Sequence, residues 1–321
     1  MFTTEIGSNI NKAKYLLEHG ELVAIPTETV YGLAANGLNL NAIGKIYAAK
    51  NRPQFNPLIL HVAHVDQLEK WVKDIPKACH DLIAKLSPGP ITYLLPKTNR
   101  VPDLVTAGSN RVAIRIPAHD LTLSLLSQLD FPLAAPSANP SGYVSPVSSQ
   151  HVFDGLSGII PYILEGGNAK IGLESTIVGF EEGRVIVHRL GGIAAEQLEE
   201  ITGEEVELRL SHASPTAPGQ LKSHYATRKP LFLGDIKDLY QIHADKKIGI
   251  LSFQQTYALP GVIESQLSPT GNIDEAASQL FSVMRELDNA DIEIILSEVF
   301  PDRGLGKAIN DRLQRAAYPL K

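Results

Sequence analysis

The sequence predicts an α/β fold in two domains: a mixed, twisted open sheet with flanking helices, followed by a smaller C-terminal α/β domain. Short β-branched runs alternate with helical periodicity over roughly the first two hundred residues, which is typical of helices layered on a sheet. The chain has 321 residues, whereas a single domain commonly has roughly 100–200. Residues 211–230 lose this periodicity and have linker composition. We therefore expect domains at 1–210 and 231–321, joined by that linker.

The elements of the first domain follow from the spacing of apolar residues. An amphipathic helix is predicted over residues 1–20, with Ile10, Ala13, Leu16 and Leu17 on one face. Predicted strands follow at 22–26, 58–63, 91–96, 111–116, 133–135, 162–164, 175–180 and 185–189. Residues 181–183, Glu-Glu-Gly, separate the last two strands and are typical of a hairpin turn. Part of the sheet should therefore be antiparallel, and the sheet as a whole mixed.

The second domain is predicted from a shorter alternation of strands and helices. Its predicted strands are 231–234, 248–253 and 292–300, and its predicted helices are 274–287 and 305–317. This order favours βαβ units with a core of their own, as in a small Rossmann-like domain. Residues 304–306, Gly-Leu-Gly, lack the third glycine of a dinucleotide-binding motif.

Composition and charge exclude several classes of protein. With 44% hydrophobic and 20% charged residues, the chain can bury a sizeable core and is not expected to be disordered. A net charge of −6 argues against a protein that binds nucleic acid with its whole surface, but it does not exclude a local basic cleft. The single cysteine, Cys79, allows no intrachain disulfide and is expected to be buried on the apolar face of a helix. There is neither a signal peptide nor an apolar run of 18 residues, so we expect a cytoplasmic protein with no membrane partner.

Two segments of the first domain place polar or charged groups beside predicted strands. Residues 26–33, Pro-Thr-Glu-Thr-Val-Tyr-Gly-Leu, follow a buried strand, at a position that commonly lines ligand sites in open α/β sheets. The alternative is a loop whose Thr27 and Thr29 merely cap backbone groups. Lys50 and Arg52 lie on a proline-braced turn, and two such cations suit a polyphosphate. Solvated cations at a helix end explain that pair equally well.

Arginines and small polar residues mark the other candidate segments. Arg111 and Arg115 are four apart in a predicted strand and so share a face, where an anion must pair with them if they are buried. Either a ligand carboxylate or an internal Asp or Glu would provide that anion. Residues 134–142 are small and polar, which lets backbone approach a ligand, although a structural loop would look similar. The glycine-rich segments 166–176 and 188–191 place hydroxyls and an arginine at strand ends.

Metal binding by the protein is not expected. His61 and His64 are three apart in or just after a predicted strand, so their side chains should point to opposite faces. The sequence has no P-loop and no zinc-type Cys/His cluster.

Six motifs together resemble the YrdC-like family in spelling and in order along roughly the first two hundred residues. They are Pro26-Thr27-Glu28-Thr29-Val30-Tyr31-Gly32-Leu33, Lys50-x-Arg52-Pro53, Ser87-Pro88-Gly89-Pro90-x-Thr92, Val112-Ala113-Ile114-Arg115-x-Pro117, Pro136-Ser137-Ala138-Asn139-x-Ser141-Gly142 and Glu174-Ser175-Thr176. The linker ending in His224-Tyr225, and the stretch 308–317, look like the longer, two-domain members. Where those members commonly have Pro-Gly-Met in the linker, this chain has Pro-Gly-Gln at 218–220.

The resemblance implies a YrdC-like sheet and the activity of the longer members, which are threonylcarbamoyl-AMP synthases. They make L-threonylcarbamoyladenylate and pyrophosphate from L-threonine, bicarbonate and ATP. The resemblance also implies Mg²⁺ accompanying ATP, and a separate threonylcarbamoyl transferase that uses the product to modify tRNA. Direct contact with tRNA is left open. The alternative is a different class of function, a double-stranded RNA- or tRNA-binding module associated with translation and without chemistry of its own.

The site residues are also implied by the resemblance, motif by motif. L-threonine would be held by Thr29, His61, Arg115 and Ser175, with Arg115 facing its carboxylate. ATP would be held by Lys50, Arg52, Asn56, Arg111, Ser137, Asn139, Ser145, Arg189 and Tyr225. Lys50 and Arg52 are expected to be the catalytic residues, because they would neutralise charge on the phosphates. The linker 211–230 is expected to act as a lid that closes over the nucleotide through Tyr225.

Overall fold

The computed structural model describes residues 2–210 and 225–317, which form two sheets flanked by helices. The described strands of the larger sheet are β1 Glu5–Gly7, β2 Val23–Ile25, β3 Gly32–Asn36, β4 Ile59–His61, β5 Ile91–Pro96, β6 Arg111–Arg115, β7 Leu133–Ala134, β8 Tyr162–Leu164, β9 Thr176–Glu181, β10 Arg184–Arg189 and β11 Glu207–Leu208. Their order is β1-β8-β2-β3-β7-β4-β6-β5-β9-β10-β11. Parallel pairs such as β4 with β6 occur beside antiparallel pairs such as β5 with β6. The predicted mixed sheet is confirmed.

Helices cover this sheet and supply its core contacts. They are α1 Ile10–Glu18, α2 Leu40–Lys50, α3 Lys77–Leu86, α4 Asp103–Thr106, α5 Asp120–Leu126, α6 Ser149–Leu156 and α7 Ala195–Thr202, with a 3₁₀ turn at Val65–Lys70. Cys79 lies on α3 and is fully buried, as predicted. Burial raises the pKa of its thiol to about 12, so it is a packing residue and not a thiolate.

Every strand predicted for the first domain is present, with ends displaced by at most two residues, but β1, β3 and β11 were missed. The predicted helix over 1–20 was too long, because residues 5–7 pair with β8 as a strand. β3 has the sequence Gly-Leu-Ala-Ala-Asn, which carries no β-branched residue. It is extended because β2 and β7 pair with its two edges, so tertiary pairing overrides local propensity.

The hairpin predicted at residues 181–183 is confirmed. β9 and β10 are antiparallel, with Arg184 opposite Glu181. Glu182 and Gly183 between them have φ of 51° and 81°. Positive φ at both central residues is what a two-residue hairpin turn requires, and glycine accommodates it without strain. The turn brings the end of β10 back beside the start of β9, where the site lies.

The C-terminal domain is a parallel α/β layer, as predicted. Its described strands are β12 Leu231–Leu233, β13 Ile248–Ser252, β14 Ile263–Gln266 and β15 Ile294–Ser297, in the order β12-β15-β13-β14. Its described helices are α8 Ile236–Ile242, α9 Ile273–Asn289 and α10 Gly306–Ala317. β14 was missed, because an edge strand spelled Ile-Glu-Ser-Gln has little apolar signal. None of the described helices is long and apolar enough to cross a bilayer.

The two domains share one buried apolar cluster. Leu280, Phe281 and Met284 of α9 belong to the same cluster as Leu173 of the first domain and Tyr225. A Cβ added at Gly172 would lie 2.5 Å from the carbonyl oxygen of Ser278 on α9. This close packing places α9 directly against the segment that precedes β9.

Candidate active site

A pocket of about 550 Å³, including the part open to solvent, lies where several strands of the larger sheet end. His61 ends β4, and Arg115 ends the parallel strand β6 opposite it in register. Ser175 immediately precedes β9, and Arg189 ends β10. The lining is completed by the β2–β3 connection, the loop after β7 and Tyr225: Thr27, Thr29, Val30, Gly32, Arg52, Ile59, His61, Arg115, Ala135, Pro136, Ser137, Glu174, Ser175, Arg189 and Tyr225.

Many, but not all, of the residues predicted from the sequence to bind L-threonine or ATP line this pocket. All four residues assigned to L-threonine line the pocket, namely Thr29, His61, Arg115 and Ser175. Of those assigned to ATP, Arg52, Ser137, Arg189 and Tyr225 line it. Lys50, Asn56, Arg111, Asn139 and Ser145 are not in the lining. Tyr225 belongs to the proposed lid, but residues 211–224 of that linker lie outside the described residues.

Arg115 is buried against an internal carboxylate. Its Nη2 lies 2.7 Å from Oε1 of Glu28, and its Nη1 donates to Thr29 Oγ1 at 2.9 Å. Nε donates to the carbonyl oxygen of Gly89. The ion pair with Glu28 is close but lacks hydrogen-bond geometry, so neither Glu28 oxygen has a hydrogen-bond donor among the described residues. Glu28 is therefore the internal acidic residue that the sequence analysis gave as one alternative partner for a buried arginine. Although it is paired with Glu28, Arg115 also lines the pocket.

His61 is a neutral group in this pocket. It is almost completely buried, and its Nδ1 lies 3.3 Å from the carbonyl oxygen of Ile59. Burial, reinforced by the charge of Arg115, lowers the pKa of His61 to about 3. His61 therefore offers a ligand an uncharged hydrogen-bonding edge near neutral pH.

Ser175 is fixed by a buried network at the start of β9. Arg189 donates to the Ser175 carbonyl oxygen through Nε at 3.0 Å and to its Oγ through Nη2 at 3.0 Å. The Ser175 hydroxyl also lies 2.7 Å from Oγ1 of Thr92. Burial lowers the pKa of Arg189, which nevertheless stays a cation at neutral pH. The hydroxyl orientation is thus set before any ligand binds.

Of the two cations on the proline-braced turn, Arg52 lines the pocket and Lys50 lies in the wall behind it. Arg52 donates to the carbonyl oxygens of Asn56 and Pro57, and burial lowers its pKa to about 10. Lys50 is buried and its Nζ donates to the carbonyl oxygens of Ser137 and Asn139. Burial, and then the charge of Arg52, lowers the pKa of Lys50. Lys50 therefore holds the loop that carries Ser137.

The remaining nominated side chains lie around the pocket or away from it. Ser145 donates to Glu174 Oε1 at 2.6 Å, and Asn139 donates to the carbonyl oxygens of Pro140 and Tyr143. The amide of Asn56 is buried without a hydrogen-bond partner among the described residues. Arg111 is about a third exposed, with Nη1 3.3 Å from Oε1 of Glu181. It does not share the pocket of Arg115, despite lying on the same strand.

The pocket has a net excess of positive charge. Arg52, Arg115 and Arg189 line it, whereas Glu174 is the acidic residue in the lining. Burial acts to raise the pKa of Glu174, but the charges of Arg312 and Arg189 outweigh it and lower that pKa. Glu174 is thus an anion already paired within the protein. Such an arrangement is suited to bind a ligand with several negative groups.

Sequence reasoning did not assign a role to Glu174 or Arg312. Arg312 lies on α10 beside the buried Ile309, Leu313 and Ala316 and is itself fully buried. The signal was available, because a cation on the apolar face of a helix needs a buried partner. Nothing local, however, identifies Glu174, which is 138 residues earlier in the chain, as that partner.

Carboxylate or histidine clusters suited to a metal ion are not found in the described part of the chain. No group of three or more His, Cys, Asp or Glu side chains converges there. The buried carboxylates near the pocket, Glu28 and Glu174, each face an arginine at 2.7 Å and 3.0 Å. The donor set therefore does not form a protein cage for a divalent ion.

Comparisons with known proteins agree over both domains. A family model for Sua5, YciO and YrdC, described as telomere recombination, matches residues 15–191. A second, described as the C-terminal domain of threonylcarbamoyl-AMP synthase, matches residues 193–318.

Similar proteins extend over nearly the whole chain. A curated threonylcarbamoyl-AMP synthase from Pyrococcus abyssi is 37% identical over 96% of this chain and 94% of its own length. One from Bacillus subtilis is 38% identical over 98% and 95%. The crystal structure of P. abyssi Sua5 complexed with L-threonine superposes with a TM-score of 0.91 at 34% identity, covering 99% of this chain and 97% of that one. The chain therefore belongs to the Sua5, YciO and YrdC family, in its two-domain Sua5 form.

Proposed function

We propose that this chain is an enzyme that makes L-threonylcarbamoyladenylate and pyrophosphate from L-threonine, bicarbonate and ATP. The observation that carries the proposal is the pocket itself, in which Arg52, Arg115 and Arg189 arrive from separate segments around the hydroxyls of Thr29 and Ser175. Similarity over both domains to proteins named threonylcarbamoyl-AMP synthase supports the same activity. The alternative of an RNA-binding module without chemistry is not favoured by these relatives.

L-threonine fits the side of the pocket that Arg115 serves. Its carboxylate would pair with the Arg115 guanidinium, which Thr29 and Gly89 already orient. The neutral edge of His61 and the fixed hydroxyl of Ser175 lie in the same pocket and can accept or donate hydrogen bonds to a small polar ligand. The similar structure from P. abyssi was solved with L-threonine.

ATP would occupy the side formed by Arg52, Ser137 and Arg189. Arg52 and Arg189 would face the phosphates, and Ser137 would approach them from the loop that Lys50 holds. In this assignment Arg52 is the catalytic cation, and Lys50 acts through the loop. Mg²⁺ would arrive bound to ATP, without a protein carboxylate cage, and would help Arg52 and Arg189 to neutralise charge on the phosphates.

The substrate supplies the nucleophile in this reaction. The threonine nitrogen forms a bond to the carbon of bicarbonate, and water leaves, giving a carbamate. A carbamate oxygen then attacks the α-phosphorus, the bond to the bridging oxygen breaks, and pyrophosphate leaves with the electron pair. The protein contributes to catalysis by aligning the reactants and by stabilising charge on the phosphates.

The linker and the later fate of the product complete the proposal. Tyr225 would help to close the linker over the nucleotide and shield the mixed anhydride from water. The product would be consumed by a separate transferase that modifies adenosine in tRNA, in the cytoplasm.

The experiment is detection of the adenylate by mass spectrometry after purified chain is mixed with ATP, bicarbonate and threonine. Omission of any one substrate should abolish both the adenylate and pyrophosphate release. Arg52→Ala should lower the rate on the order of 10²–10³-fold, which is typical of losing one preorganised donor. Arg184→Ala is the matched control, because Arg184 is exposed on the β9–β10 hairpin. Absence of the adenylate, with RNA binding that falls steeply with salt, would favour the RNA-binding alternative.

A further inference from the structure

A buried carboxylate of the C-terminal domain accepts hydrogen bonds from two other parts of the chain. Asp288 lies near the end of α9, and its side chain has 0% exposure. Its Oδ2 accepts from the Tyr143 hydroxyl and from Nε of Arg228, both at 2.7 Å. Its Oδ1 accepts from the backbone N–H of Lys229 at 3.0 Å. Tyr143 belongs to the first domain, whereas Arg228 and Lys229 lie where the linker ends. We call these four residues the Asp288 junction.

Tyr143 is the part of the junction that belongs to the first domain. The guanidinium carbons of Arg285 and Arg228 lie 4.7 Å and 6.0 Å from the centre of its ring. Burial, and then the hydrogen bond to Asp288, raise the pKa of Tyr143 to about 12, so its hydroxyl is a donor at neutral pH. Arg285 also donates to the carbonyl oxygen of Val144. The α9 helix therefore holds both the side chain of Tyr143 and the backbone beside it.

Tyr143 is connected in turn to the loop on the ATP side of the pocket. Nδ2 of Asn139 donates to the carbonyl oxygen of Tyr143 at 2.8 Å. The same loop carries Ser137, which lines the pocket. The backbone N–H of Ala226 donates to the carbonyl oxygen of Gly142 at 2.8 Å, in a parallel bridge between residues 143 and 226. The loop that carries Ser137 and the end of the linker are thus attached to each other beside the junction.

Tyr225, just before that bridge, has a backbone that needs to be held. It is almost completely buried, lines the pocket and has a φ of 65°. A left-handed backbone is strained at a bulky residue, and it persists only where the surrounding structure maintains it. The residues that follow Tyr225 are maintained by the bridge at Ala226 and by the bonds of Arg228 and Lys229 to Asp288.

We propose that Asp288 is a positioning residue of the active site: it holds the loop of Ser137 and the ring of Tyr225 at a fixed separation on the two sides of the nucleotide. This inference rests on the proposed function for the identity of the ligand. Asp288 is not in the pocket lining, so it acts through Tyr143 and Arg228. The C-terminal domain is then part of the nucleotide site.

Domain docking by itself does not require this carboxylate. The two domains already share an apolar cluster that includes Leu280 and Phe281 of α9. Burial of a carboxylate is costly, and it is tolerated where donors satisfy its oxygens. Here the three donors come from outside α9, so the hydrogen bonds of the Asp288 side chain fix the loop and the linker end and not the helix itself.

The consequence is selective for one substrate. ATP is assigned to the side of the pocket that Ser137 and Tyr225 form. L-threonine is assigned to Arg115 and Thr29, which bond to each other and, through Arg115, to Glu28. None of those bonds involves the Asp288 junction. A merely structural role for Asp288 would weaken both ligands together, so the split between the two affinities is the diagnostic quantity.

The test measures dissociation constants of the full chain for ATP with Mg²⁺ and for L-threonine by titration calorimetry, with product formation in parallel. Asp288→Ala removes the shared acceptor. It should weaken ATP about tenfold or more, because a hydrogen-bonded charge is lost and two sides of the nucleotide site move apart. It should weaken threonine less than about threefold.

Two further variants test whether the donors act through Asp288. Tyr143→Phe removes one donor, and Arg228→Ala removes another. Each should reproduce part of the ATP-selective loss. Either change added to Asp288→Ala should weaken ATP by less than about twofold more, because the bond that it removes is already absent.

Lys307→Ala is the matched control. Lys307 also pairs across the two domains, with Nζ 2.7 Å from Oε1 of Glu196, but that pair is partly exposed and lies away from the junction. It should leave both affinities unchanged. If Asp288→Ala does not fold, Tyr143→Phe and Arg228→Ala, which each leave two of the three donors, carry the same comparison.

Three results would overturn the inference: an unchanged ATP affinity in Asp288→Ala, an equal loss of ATP and threonine affinity, or full additivity of Tyr143→Phe with Asp288→Ala. Failure of the unmodified chain to make the adenylate would instead contradict the proposed function. It would leave the binding comparison intact.

Discussion

Removing the arginine of the Arg115–Glu28 pair should destabilise the first domain strongly. Arg115→Met leaves the carboxylate of Glu28, 5% exposed, without the cation that now lies 2.7 Å away. Orphaning one member of a buried pair typically costs about 3–5 kcal/mol. For a domain of this size, that corresponds to a fall in Tm of about 6–20 °C. Circular dichroism during thermal and urea unfolding measures both quantities.

Two further variants separate the charge from the packing of the side chain. Adding Glu28→Gln to Arg115→Met removes the orphaned charge and should recover most of the stability, while threonine binding stays lost in calorimetry. Arg111→Met is the control on the same strand, and its partly exposed pair with Glu181 should change stability by less than about 1 kcal/mol. If Arg115→Met is no less stable than Arg111→Met, or the double variant is no more stable than the single, the reasoning about this pair is wrong.

Two further predictions concern a titrating group and a close backbone approach. The pKa of His61 is about 3 in the fold and ordinarily about 6.5. The unfolded chain therefore binds the extra proton, so stability is full above about pH 6.5 and falls by up to about 1.4 kcal/mol per pH unit below it. Urea midpoints between pH 7 and 5 should show this slope, and His61→Asn should remove it; an unchanged slope would assign it to other groups. Gly191→Ala places a Cβ 2.2 Å from the carbonyl oxygen of Glu174, and should cost about 1–3 kcal/mol and weaken threonine binding. Gly44→Ala, with open space around its Cβ, should be neutral or slightly stabilising, and equal behaviour of the two variants would contradict the close approach.

Local sequence pattern was enough for the elements that have a strong signal of their own. The strands that end at the pocket, β4, β6 and β10, are rich in β-branched or long apolar residues and were predicted within two residues of their ends. β3 and β14 were missed, because a Gly-Ala strand and an edge strand are extended through pairing with neighbours. Pairing is a long-range interaction that no local window contains.

The candidate site was likewise predictable only in part from the sequence. The resemblance named Thr29, His61, Arg115 and Ser175, and all of them line the pocket. It could not say that Lys50 would face the carbonyl oxygens of a loop almost ninety residues later. The direction of a flexible side chain depends on which acceptors the fold brings near it.

The sequence by itself determined the alternation of strands and helices, the division into two domains and the order of the motifs, because these depend on residues close together in the chain. Only the tertiary structure decided which charges are paired. Arg115 finds its carboxylate on another strand connection, and Arg312 reaches Glu174 from the other domain. In a buried site a cation must be matched by whichever anion the fold delivers, so electrostatic partners are a property of the folded chain.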